Sequence, residues 1–132
     1  MITAAVTAML STCAVLLGVP SAMAAPMTAG QYCGTFQSGT VAVTYFYKQA
    51  GTCHDVNIIY VKDPYESFDS YAGLYWNGKI WVLGTRGFKR INNGNCNPNT
   101  NQNCVPITDL AAGTEFQILS ASQAEGPVHL ND

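Results

Sequence analysis

The chain has 132 residues, room for one domain and hardly two. Its formal net charge is −2 and it holds six Lys plus Arg, which sets aside nucleic-acid binding, since that wants a strongly basic face. At 48% hydrophobic residues it is too apolar to be disordered, and with 12 Gly, seven Tyr and few charges it has the composition of an exported β protein.

The first element in chain order is an uncharged leader, "MITAAVTAMLSTCAVLLGVPSAMAA". An apolar run at Cys13–Val19 is followed by Pro20 and then Ala22-Met23-Ala24. This predicts a signal peptide over residues 1–24 and a single mature β domain over 25–132, although the Lys or Arg usual near the start is absent. The run is interrupted by Pro20 and falls short of the roughly 20 residues that span a bilayer, so no transmembrane anchor is expected. "LSTC" has the outline of a lipoprotein box, but Thr12 is bulky for the position before the cysteine. Cys13 therefore reads as an ordinary apolar residue of the leader.

Four cysteines remain: Cys33, Cys53, Cys96 and Cys104. An even set in a small exported domain predicts two disulfides. Cys33–Cys53 with Cys96–Cys104 is the preferred pairing, because each bridge then closes a local loop. Each closure would stabilise by about 2.5–3 kcal/mol through unfolded-state entropy. There is no Cys-x-x-Cys spacing and only two His, so neither a metal nor a cofactor is expected.

Period-two alternation runs through most of the mature chain. "TVAVTYFYK" (40–48) predicts a strand with Val41, Val43, Tyr45 and Tyr47 on one face. After the turn "QAGT", "CHDVNIIYV" (53–61) predicts its hairpin partner. "DPYESFD" (63–69) predicts a one-turn helix or an ordered loop, with Asp63 capping Glu66; calcium is the weaker reading of its three acids. "YAGLYWNGKIWVLG" (71–84) predicts a hairpin with a type I′ turn at Asn77-Gly78, Trp76 opposite Lys79 and Leu74 opposite Trp81. "TRGFKRI" (85–91), residues 114–120 and "GPVHLND" (126–132) complete the strands, with a turn around Asp109–Gly113. About seven short strands predict an all-β fold, a small antiparallel β-sandwich or barrel.

Three candidate sites stand out. Trp76, Trp81, Tyr75 and Lys79 form an aromatic group with a polar neighbour, the chemistry that stacks on sugar rings; a Trp pair on a hairpin is otherwise core. "INNGNCNPNTNQNC" (91–104) carries Asn at every odd position from 93 to 103. It has no acid, no His and no glycosylation sequon, and Pro98 breaks any ladder. It is either a stapled turn or a preorganised recognition loop presenting Asn97, Pro98, Asn99, Thr100 and Asn101. Arg86, Lys89 and Arg90 gather half of the chain's six Lys plus Arg, for an anionic ligand or simply as a charged sheet edge. No catalytic residue is assigned. His54 and Asp55 are adjacent, so on a strand they point to opposite faces, and oxidised cysteines cannot act as nucleophiles.

The stretches "SGTVAVTYFYKQAGTCHDVNIIYV" (38–61) and "DSYAG" (69–73) resemble the small exported spore-associated proteins of filamentous actinobacteria. The resemblance implies a cell-surface or spore-surface role without known catalysis, and transfers no functional residue. The sequence thus points first to a secreted, non-catalytic cell-envelope or polysaccharide-binding protein. The alternatives are a protein-binding inhibitor or effector acting through the 96–104 loop, and a small secreted hydrolase.

Overall fold

The structure, a computed structural model, describes residues 34–132. The expected leader and Cys33 lie outside them. The elements in chain order are β1 (Phe36–Thr40), β2 (Phe46–Tyr47), β3 (Asn57–Val61), β4 (Phe68–Trp76), β5 (Trp81–Leu83), β6 (Lys89–Asn92), β7 (Gly94–Asn95), a 3-10 turn (Gln102–Cys104), β8 (Glu115–Ser120) and β9 (Pro127–Asn131). They form two antiparallel sheets, one ordered β1-β9-β3-β7 and the other β2-β8-β4-β5, with β6 also on β4. No helix among the described residues is long and apolar enough to cross a membrane.

Alternation decides which side chains meet between the sheets. Val56, Ile58, Val128 and Leu130 come from the first sheet and its approach, and Phe46, Tyr71, Ile91, Phe116 and Ile118 from the second. Phe46 stacks on Phe116 with centroids 5.5 Å apart. Burying a side chain of this size contributes about 1.5–3 kcal/mol, with up to about 1.5 kcal/mol more from the ring pair. The long β4 runs along the middle of its sheet. It pairs β8 on one side through Tyr71–Tyr75, and on the other β6 through Phe68–Tyr71 and then β5 through Leu74–Trp76.

The expected strand over 40–48 does not form as one piece. Thr40 accepts hydrogen bonds from the amides of both Val43 and Thr44, and Ala42 takes a left-handed φ of 61°. This turn sends the chain from the first sheet to the second. Gly39 permits it, because a Cβ there would lie 2.6 Å from Thr44 Oγ1 and 2.7 Å from Phe46. Phe46 is then the inward residue, while Val43, Tyr45 and Tyr47 are exposed. The 40–48/53–61 hairpin is also absent. β2 pairs β8, and β3 pairs β9 and β7, because those remote partners bury both strands. The closing strand β9 lies between β1 and β3, its Pro127 at the first position, where a missing N–H is tolerated.

Residues 63–67 form an ordered loop rather than a helix, and Phe68 and Asp69 already belong to β4. Asp63 Oδ1 still accepts from the amides of Tyr65 and Glu66, at 2.7 and 2.9 Å, as a cap would. The strand expected at 85–91 begins only at Lys89, since Gly84 to Gly87 turn first, with φ 63° at Gly87. Cys96 and Cys104 are bridged, with Cα atoms 5.8 Å apart. Cys53 is also disulfide-bonded.

Candidate functional site

The β4–β5 hairpin is centred one residue later than its Asn-Gly signal suggests. Trp76 pairs with Trp81 and Tyr75 with Val82, so the two central turn residues are Gly78 and Lys79. Gly78 has φ 97° and Lys79 is not left-handed, which is the sense of a type II′ turn with glycine first. Asn77 does not sit inside the turn but closes it. Its Oδ1 accepts from the amides of Lys79 and Ile80 at 2.9 and 3.0 Å. Each partner moves by two residues, so the faces are unchanged although every cross-strand pair differs from expectation.

That register puts the tryptophans directly opposite one another. Their ring centroids are 5.7 Å apart, and Tyr45, projecting from the approach to β2, lies 5.6 Å from Trp81. The three rings form one continuous strip. Its face is the outward one, shared by Leu74, Leu83 and Gln117, while the neighbours Tyr75 and Phe116 turn inward. Tyr45 is 55% exposed, Trp76 38%, and Trp81 half-buried, and neither tryptophan belongs to the core cluster. Tyr75 faces away from the strip and packs partly against the core. Lys79 is in the turn, not across from Trp76. Tyr45 was not among the sequence candidates; its aromatic cluster was the only signal, and no local pattern tells which remote strand it will cross.

Beside the strip, at the same end of the sheet, lies a cleft of about 740 Å³. It runs between the hairpin tip and the segment 107–115. Glycine explains how that segment comes so close. A Cβ on Gly73 would lie 2.0 Å from Ile107 Cγ1, and one on Gly84 would lie 3.1 Å from the Pro106 carbonyl. With both side chains missing, Ile107 seats on β4 and bridges to Val56. Tyr47, Tyr75, Trp76, Asp109 and Glu115 contribute to the walls. The Tyr47 hydroxyl donates to Glu115 Oε1 at 3.3 Å. Asp109 is left-handed, with φ 54°, and its amide donates to Asp55 Oδ1 at 3.4 Å.

The Asn run is chiefly occupied with its own scaffold. Asn93 accepts from the Asp63 amide and donates to the carbonyls of Asp63 and Glu66, pinning the 63–67 loop. Asn97 Oδ1 accepts from the Asn99 amide, Asn101 Oδ1 caps the 3-10 turn at Asn103, and Asn103 Nδ2 donates to the Arg90 carbonyl. Pro98 is fully buried and is not presented at a tip, whereas Asn97, Asn99, Thr100 and Asn101 are exposed. The base is tied by the bridge and by the Cys96 amide, which donates to the carbonyl of Ile59 at the β3 bulge.

The basic group divides. Arg86 Nη2 donates to the Gln102 carbonyl at 2.8 Å, and the Arg90 guanidinium lies 3.7 Å from the centroid of the Phe68 ring. Both therefore brace neighbouring structure, and Lys89 is exposed on the same strand.

A polar network stands at the other end of β4. Buried Asp69 accepts from the hydroxyls of Ser120 and Ser122 and from the Ser70 amide, and Ser122 also donates to Asp63. Burial alone would raise the Asp69 pKa, but these hydrogen bonds together hold it below the usual carboxylate value. Burial first, then the charges of Asp69 and Asp63, push the Tyr71 phenol well above its usual range, so it stays neutral. No family model, curated protein or solved structure matches the chain.

Proposed function

We propose that this is an exported, non-catalytic polysaccharide-binding protein of a cell or spore surface, and that the strip Tyr45–Trp81–Trp76 is its binding face. The observation that carries the reading is the contact of three outward aromatic rings on one sheet face. An exposed strip of this kind needs a partner more than a scattered apolar residue does. Sugar rings present flat C–H faces that stack on aromatic faces, and sheet-borne rings are held with little conformational freedom to lose. The Cys96–Cys104 bridge and the even set of mature cysteines support export. In this reading the two sheets form a β-sandwich stapled by two disulfides, the second being Cys33–Cys53. The alternative, protein recognition through the 96–104 loop, has less support, because Pro98 is buried and the Asn side chains serve the main chain.

The test is co-sedimentation of the oxidised protein with insoluble peptidoglycan, chitin and cellulose, beside Trp76→Ala, Trp81→Ala and Tyr45→Ala. Each variant should keep its fold, because the rings are at the surface. Each should weaken binding at least about tenfold, or about 1.4 kcal/mol. Folded variants that sediment like the wild type would refute the assignment.

A further inference from the structure

We propose that the cleft beside the strip binds the ammonium group of an amino sugar, so that the polysaccharide taken by this protein carries free amines. The inference rests on the carbohydrate reading of the strip and names its substrate class.

The cleft's size is that of a small-ligand site, at about 740 Å³. Its chemistry is one-signed. Asp109 and Glu115 are in the wall, and no Lys, Arg or His is. Asp55 stands behind Asp109, at 3.4 Å from its amide. The cations flanking wall residues are Lys48, Lys79 and Arg86, the last donating to the Gln102 carbonyl, and Lys48 exchanges backbone hydrogen bonds with Gly113 and Thr114. Its Nζ is turned away and donates to the carbonyls of Gln49 and Cys53. Lys79, two residues beyond Asn77 in the turn, is exposed and does not line the cleft.

Three rings, Tyr47, Tyr75 and Trp76, share the wall with the two carboxylates. Aromatic faces and carboxylates together are the chemistry that holds organic cations. A hard dication instead asks for several oxygens converging in one cage. Among the described residues no three His, Cys, Asp or Glu side chains converge in that way. Trp76 belongs to both features, being a member of the strip and part of the cleft wall. A glycan lying along the rings would therefore bring a ring substituent into the cleft. A protonated amine there meets opposite charge, whereas its N-acetylated form offers none.

The experiment compares two soluble hexasaccharides, β-1,4-linked glucosamine and its fully N-acetylated form. Binding is measured by calorimetry at about pH 6, where the amines of the free-amine oligomer are charged. Wild type should prefer the free-amine oligomer by at least about tenfold, and added salt should narrow the gap. The double variant Asp109→Asn, Glu115→Gln should lose the preference while keeping its Kd for the acetylated oligomer. Trp81→Ala should weaken both oligomers. Equal affinities in the wild type, or a preference that survives the double variant, would overturn the cleft assignment. If neither oligomer binds, the strip is judged separately, by the co-sedimentation assay with cellulose and peptidoglycan. The cleft is then judged with glucosamine alone by NMR: shifts confined to Tyr47, Tyr75, Asp109 and Glu115 uphold it, and their absence overturns it.

Discussion

Replacing Cys96 and Cys104 together by Ala tests whether the Asn-rich segment is a staple. The bridge spans eight positions in sequence. The chain-entropy relation for a closed loop of about nine residues gives about 2.6 kcal/mol of lost unfolded-state entropy at 25 °C. The native loop should survive, since Asn97, Asn101 and Asn103 bond main chain, and Arg86 holds Gln102, without help from the bridge. Stability should therefore fall by about 2.5 kcal/mol, with a small further loss because both sulfurs are buried in the core. Urea unfolding followed by tryptophan fluorescence should show a midpoint lower by about 1–2.5 M. Co-sedimentation with polysaccharide should not change while the variant is folded. A loss below about 1 kcal/mol would refute the entropic account. Loss of polysaccharide binding by folded protein would show that the loop itself recognises the ligand.

Two more expectations follow from close packing and charge. At Gly126 a Cβ would lie 1.8 Å from the backbone carbonyl oxygen of Lys62, which cannot swing aside as a side chain can. Gly126→Ala should cost about 3 kcal/mol or more in urea unfolding, above the usual range for overpacking, while Gly51→Ala, with open space around it, should cost well under 1 kcal/mol. Asp69 has its pKa lowered in the fold, so its contribution is complete above the ordinary value of 3.8 and fades as pH falls through the lower native value. Asp69→Asn should therefore be less stable than wild type at neutral pH, and the difference should shrink in acid-unfolding series below about pH 4. A constant difference across that range would refute the assignment.

Much of the architecture was legible in local pattern. Alternation marked β4, β5, β8 and β9 and assigned Trp76 and Trp81 to one face, because side-chain direction on a strand depends only on parity. Loop chemistry was legible too. Asn, Pro and paired cysteines at 91–104 announced a stapled turn, and Asp63 its cap, since such hydrogen bonds join residues two or three apart. What parity cannot say is which face a distant strand will cover. The break at Val41–Thr44, the pairing of β2 with β8 and the central place of β9 depend on partners about 70 to 95 residues away. Whether Trp76 and Trp81 were core or surface was therefore decided only when Phe46, Tyr71 and Phe116 filled the interior from the opposite face. The cleft was decided in the same way. Asp109 and Glu115 meet Tyr47 and Trp76 because Ile107 fits where Gly73 has no side chain, a fit between residues 34 apart in sequence that only the folded chain supplies.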